Sequence, residues 1–147
     1  MGDARLQLRN APDGHYGLIV LDAFSSDAIP THLLTKEAMG LYMSKLAPDG
    51  RLLFHVSNRY LDLRPVIANL AAESNLACFG VIFENLLKQR AEGGDGLDPS
   101  LWVAVARHAE DLGTLTGNPG WQKLEGSPQA KIWTDDYSNV LGAMKWK

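Results

Sequence analysis

Four short apolar runs punctuate the chain: Tyr16-Gly17-Leu18-Ile19-Val20-Leu21, Arg51-Leu52-Leu53-Phe54-His55-Val56-Ser57, Cys78-Phe79-Gly80-Val81-Ile82-Phe83 and Leu101-Trp102-Val103-Ala104-Val105-Ala106. None alternates cleanly between apolar and polar residues, the pattern of strands covered on both faces, as in a parallel sheet. Between the first two runs, Met39, Tyr42, Met43 and Leu46 recur at i, i+3, i+4 and i+7, which is one stripe of a helix. Thr35 stands where that helix needs an N-cap, and Pro48-Asp49-Gly50 stops it. A second helix is predicted with Asp62 as its cap, Pro65 in its first turn and Val66, Ile67, Leu70 and Ala71 facing the core. No helical pattern separates the last two runs, so they are expected to pair antiparallel. The expected architecture is α/β: a three-layer sandwich around a mostly parallel sheet, with the last strand inserted antiparallel. From Glu110 onward the pattern weakens into Gly, Pro and Trp residues, a carboxy-terminal extension in which Trp133, Tyr137 and Trp146 would dock on the domain.

Composition narrows the class. The 147 residues are 46% hydrophobic and 21% charged, with a net charge of −3, values that fit a folded soluble domain and exclude a disordered or collagen-like chain. There is no Lys/Arg stripe of the kind nucleic acid requires, so no nucleic-acid partner is expected. No apolar stretch reaches the 18 or so residues of a membrane span, and none is expected to insert. One cysteine, Cys78, excludes an intrachain disulfide and fits a reducing, cytoplasmic setting; in its apolar run it reads as a small packed hydrophobe rather than a reactive thiol.

Candidate chemistry gathers at strand ends, because open α/β sheets bind ligands beyond the carboxyl ends of their parallel strands. The first strand ends in Asp22, and Asp27 follows in the same loop. Carboxylates there can accept a proton from a nucleophile or hold a cationic substrate, and Asp27 can equally satisfy turn donors. His55, near the end of the second strand, reads either as a hydrogen-bonded structural histidine or as a site residue. Ser57-Asn58 could offer neutral donors and acceptors. No second His or Cys stands at metal-ligand spacing, so no metal site is expected. Gly93-Gly94-Asp95-Gly96 does not lead from a strand into a helix and reads as a surface loop rather than a phosphate cradle.

Several blocks carry a resemblance. Gly2-Asp3-Ala4, Leu18-Ile19-Val20-Leu21-Asp22 and Leu46-Ala47-Pro48-Asp49-Gly50-Arg51-Leu52 look like the second half of a class I S-adenosylmethionine-binding Rossmann-like domain. Leu21-Asp22-Ala23-Phe24-Ser25-Ser26-Asp27-Ala28-Ile29-Pro30, His32-Leu33-Leu34-Thr35, Leu61-Asp62-Leu63 and Thr134-Asp135-Asp136-Tyr137 resemble the spermidine synthase (polyamine aminopropyltransferase) family and its transporter-fused relatives. The resemblance implies aminopropyl transfer from decarboxylated S-adenosylmethionine to an amine; S-adenosylmethionine-dependent methyl transfer and a non-catalytic interaction module are the alternatives. Donor and acceptor are then substrates, and no tightly bound cofactor is expected. By the same resemblance Asp22 matches the catalytic aspartate, Asp27 an amine-binding aspartate, and His55 the place of a glutamine near the amine. Asp3, with Ala4 beside it, matches the acidic residue that holds the adenine amino group.

The likeness covers residues 1–108 well, as a nucleoside-binding half domain, and 109–147 more loosely. Two departures stand out: the aspartates are separated by the longer spacer Ala23-Phe24-Ser25-Ser26, and Glu84-Asn85-Leu86-Leu87-Lys88 replaces the family's tyrosine-and-proline motif. The family's glycine-rich loop and ribose-binding acid would lie upstream of Gly2-Asp3-Ala4. The chain alone is therefore expected to be inactive, and the edge of its first strand to be covered, as in a homodimer.

Overall fold

The structure, a computed structural model, describes residues 4–24, 29–81 and 100–145. After a short helix α1 (Ala4–Arg9) the elements run β1 (Tyr16–Leu21), α2 (Lys36–Lys45), β2 (Leu46–His55), α3 (Arg64–Glu73), β3 (Ala77–Val81), β4 (Trp102–Ala106) and β5 (Trp121–Lys123). Among the described residues the five strands form one sheet of order β1-β2-β4-β3-β5. β1 and β2 pair parallel, whereas β4 enters antiparallel between β2 and β3, as its run without a preceding helix predicted. β1, β2 and β3 therefore share one direction, but only one of the four pairings is parallel, fewer than the expected mostly parallel ladder. The inserted β4 is the reason, since it separates β2 from β3. β5, drawn from the weakly patterned carboxy-terminal stretch, adds a further antiparallel edge on β3.

Alternation along the central strands divides the core in two. Leu52, Phe54, Val103, Val105 and Cys78 face α2 and α3, where Met39, Tyr42, Ile67 and Leu70 complete the larger cluster. Ala104 and Ala106 face the opposite way, under Leu112 of the 3-10 segment Ala109–Gly117, with Leu53, Phe79 and Trp121 packed around them. Gly113 turns the backbone within that segment at φ +60, a conformation that a Cβ disfavours. Among the described residues the second layer does not extend over β1. Leu18 and Val20 remain 51% and 47% exposed, while Ile19 and Leu21 pack on the larger core. The expectation that β1 is covered on both faces is thus corrected. Its apolar run reflects one buried face and one open one.

Thr35 caps α2 as predicted, its hydroxyl oxygen accepting from Ala38 N at 3.1 Å. The helix ends one turn before Pro48-Asp49-Gly50, and β2 already begins at Leu46. The intervening residues bulge, because Tyr16 pairs with Leu46 while Leu18 pairs with Arg51. Glycine is required in the bulge: a Cβ on Gly50 would lie 2.9 Å from both Ala47 O and Tyr16 O. Arg107 donates to Met43 O, in the last turn of α2, and to Ala47 O just after it, placing a cation at the carboxyl end of the helix. The cap of α3 differs from expectation. Leu63 holds the N-cap position, and Asp62, one residue earlier, accepts from Arg64 N at 3.2 Å and pairs with the Arg64 guanidinium at 2.8 Å. Burial pushes the Asp62 carboxyl up, and the guanidinium outweighs it, holding the group below its ordinary value.

The tail is fastened by charge. Asp135 accepts two hydrogen bonds from Arg5, both 2.8 Å, and one from the Thr35 hydroxyl at 2.7 Å, joining α1, the α2 cap and the carboxy-terminal segment. Trp133 is buried beside this clamp, as the docked-tail reading required, and Trp146 lies outside the described residues. No helix among the described residues is long and apolar enough to cross a membrane.

Two predictions follow from these contacts. The Arg5 hydrogen bonds hold the Asp135 carboxyl at about 2, below the ordinary aspartate value near ~3.9. A depressed folded-state value contributes stability that is fully present above ~4 and fades as pH falls toward about 2. Urea unfolding of wild type and Asp135→Asn should show a gap that is constant near neutrality and closes through that window. A gap independent of pH would contradict the clamp. Burial also pushes the Cys78 thiol up to about 12. Iodoacetamide should therefore leave Cys78 unmodified in the folded protein and alkylate it promptly in denaturant, as read by intact-mass measurement.

Candidate active site

Strand register alone brings three side chains together. Leu21 pairs with Phe54, and His55 pairs with Trp102, so Asp22, just beyond β1, stands beside His55 at the end of β2 and Trp102 at the start of β4, at one edge of the sheet. Phe54 points into the core, in contact with Phe24 and Tyr42 at ring distances of 6.3 and 6.5 Å. Alternation then turns its neighbour His55 to the opposite face, the same side as the exposed Leu18 and Val20.

There His55 Nδ1 lies 2.6 Å from Asp22 Oδ1, and His55 Nε2 lies 3.1 Å from Ser100 Oγ. The Trp102 indole stacks on the imidazole with centroids 4.7 Å apart and planes inclined by 27°, and its Nε1–H donates to Ser100 Oγ at 2.8 Å. Asp22 keeps 60% of its side chain exposed and His55 only 19%, so an accessible carboxylate is held by a mostly covered ring. An imidazole bonded to a carboxylate on one side and a hydroxyl on the other can store, accept and return a proton.

The loops below this row are tied down from within. Asn58 donates to Phe24 O at 3.0 Å and accepts from Tyr60 N and Leu61 N, both at 2.9 Å, while Ser57 Oγ accepts from Leu101 N at 2.7 Å. Ser57 and Asn58, expected as possible ligand contacts, are instead used to fix the chain leaving β1 and β2. The ring stack, the carboxylate and the hydroxyl thus sit on a braced platform.

Asp22 and His55 are therefore brought together, and His55 is hydrogen-bonded on both ring nitrogens. Ala4 begins α1, which packs on α2. Asp3, Asp27 and the Gly93-Gly94-Asp95-Gly96 stretch lie outside the described residues. Ser100 and Trp102 are additions. Their signal was available in the antiparallel pairing of the fourth run, because the amino end of an inserted antiparallel strand reaches the same edge as the carboxyl ends of its neighbours. Among the described residues no cluster of three or more His, Cys, Asp or Glu side chains could hold a metal ion. A cleft of about 390 Å³ between α3 and the tail, lined by Asp62, Asn69, Lys131 and Tyr137, lies apart from this row and includes neither Asp22 nor His55.

No family model matches the chain, and no curated protein matches it by sequence. Among solved structures it is similar to a probable spermidine synthase from Corynebacterium glutamicum ATCC 13032, at 17% identity and a TM-score of 0.60. That match covers 95% of this chain and 55% of the solved one, so the chain spans about half the length of the protein it resembles. At this identity the similarity is one of fold: a spermidine synthase-like, partial Rossmann-like α/β domain.

Proposed function

We propose that this chain carries the catalytic strand edge of an aminopropyltransferase, moving an aminopropyl group from decarboxylated S-adenosylmethionine to an amine. The observation that carries the reading is the Asp22–His55 pair, placed by register at the strand edge where such sheets bind ligands. The spermidine synthase-like fold supports it.

The chemistry asks little beyond alignment and proton removal. The amine nitrogen attacks the carbon beside the sulfonium, the C–S bond breaks, and a neutral thioether leaves with the electron pair. Holding both substrates in line removes much of the entropic cost. An alkylammonium, with a pKa of roughly 10, must first lose a proton to expose its lone pair. Asp22 supplies the negative charge that draws the cation, and His55 is the partner through which that charge is oriented. In this reading Asp27 adds a second contact to the amine, and Asp3 with Ala4 holds the nucleoside.

Isothermal titration with decarboxylated S-adenosylmethionine, S-adenosylmethionine and methylthioadenosine tests the donor. Tighter binding of the decarboxylated donor is expected. Preference for the carboxylated one would turn the reading toward methyl transfer, and silence toward all three would contradict it. In an aminopropyl-transfer assay of a complete enzyme carrying this strand edge, Asp22→Asn should lower turnover by at least about a hundredfold, the scale of an acid–base contribution, with the unfolding midpoint little changed. Near-normal turnover would remove Asp22 from the chemistry.

A further inference from the structure

With the imidazole neutral, the hydrogen bonds at the sheet edge have one consistent direction. A carboxylate donates nothing, so the 2.6 Å contact between Asp22 Oδ1 and His55 Nδ1 places a proton on Nδ1. A neutral imidazole then has a bare Nε2, and the 3.1 Å contact to Ser100 is a hydroxyl donating to it. The Trp102 indole can only donate, and it does so to Ser100 Oγ at 2.8 Å. The row therefore reads from Trp102 Nε1–H to Ser100 Oγ–H, on to His55 Nε2, and from His55 Nδ1–H to Asp22.

Ser100 Oγ has two acceptor positions, and the indole occupies one. Among the described residues no second donor reaches Ser100 Oγ, and the other position faces an incoming donor, on a residue that is itself exposed. From this we infer that Ser100 and His55 form the proton-accepting branch of the site: Ser100 Oγ is the entry point, His55 Nε2 is the final acceptor, and the ligand is one that presents an N–H donor, an alkylamine. The inference rests on the amine-transfer reading and assigns the atom that takes the proton. When the ammonium N–H bond breaks, its proton goes to Oγ while the original hydroxyl proton moves to Nε2. The amine is left neutral with its electron pair, Ser100 ends as the hydroxyl it began as, and His55 becomes an imidazolium beside the Asp22 carboxylate. Charge is conserved, and no co-reactant is needed.

Asp22 is then the group that selects the Nδ1–H tautomer and stabilises the imidazolium. Trp102 is a positioning residue. Its ring limits rotation of the imidazole, and its indole N–H orients the Ser100 oxygen so that the hydroxyl proton points at Nε2.

Long-range proton–nitrogen correlation spectra of the ¹⁵N-histidine-labelled chain test the assignment without relying on turnover. In the wild type at pH 8, His55 should show a protonated, pyrrole-type Nδ1 and a pyridine-type Nε2 shifted by its hydrogen bond. Ser100→Ala should move Nε2 toward the value of an unbonded nitrogen and leave Nδ1 in place; Ser100→Thr, which keeps the hydroxyl, should restore it. Addition of 1,4-diaminobutane should shift Nε2 in the wild type and in Ser100→Thr, and not in Ser100→Ala. Trp102→Phe, which keeps a ring and removes the donor, should weaken that response. A protonated Nε2 in the neutral ring, an Nε2 indifferent to Ser100→Ala, or a diamine response that survives Ser100→Ala would each overturn the inference. The signature with no aminopropyl transfer by a complete enzyme carrying this strand edge would overturn the proposed function and leave the proton branch standing. Transfer that is unchanged in Ser100→Ala would do the reverse.

Discussion

The register of β2 is the constraint on which the rest depends. Its side chains alternate, so a slip of one residue against either neighbour would carry Phe54 from the core to the open face and His55 into the apolar interior. Two ladders prevent this. The parallel ladder with β1 is set by the Gly50 bulge, and the antiparallel ladder with β4 sets His55 against Trp102. The same alternation that buries Leu52, Phe54 and Val56 thereby decides what stands at the sheet edge. Packing energy and site geometry come from one choice of register.

That coupling explains how polar groups can be held in order at an exposed edge. A lone contact between a surface carboxylate and a histidine contributes little and is easily loosened by water and salt. Here the ring is stacked on Trp102, the hydroxyl is orientated by the same indole, and the loop after β2 is closed by Asn58. Each brace removes freedom that the pair would otherwise lose on binding a ligand. The Arg5–Asp135–Thr35 clamp acts at a distance, tying the tail to α1 and the start of α2 and so closing the helical layer behind β2.

Much of this was legible in the chain. The Met39, Tyr42, Met43 and Leu46 stripe, the Thr35 cap, Pro65 at the start of α3 and the antiparallel insertion of β4 all follow from local pattern and turn chemistry. Asp22 and His55 were visible as strand-end residues. Their pairing was not, because contact across strands depends on a register that no local window encodes. In the sequence Ser100 is a polar residue ahead of an apolar run, and only strand order brings it to His55. The open face of β1 is hidden from the sequence for a related reason: an apolar strand reads the same whether a second layer covers it or stops short of it. Asp62 shows how a local rule shifts by one residue when an arginine competes, since Arg64 draws its carboxylate into an ion pair and leaves the N-cap position to Leu63.

The central claim is that Asp22 and His55 work as one acid–base unit rather than as two independent polar groups. A double-mutant cycle on aminopropyl transfer by a complete enzyme carrying this strand edge, with Asp22→Asn, His55→Gln and the combined variant, tests it most directly. Residues that act together are strongly non-additive, so the combined variant should be only about as impaired as Asp22→Asn alone. Losses that multiply across the cycle would show two separate contributions and contradict the account.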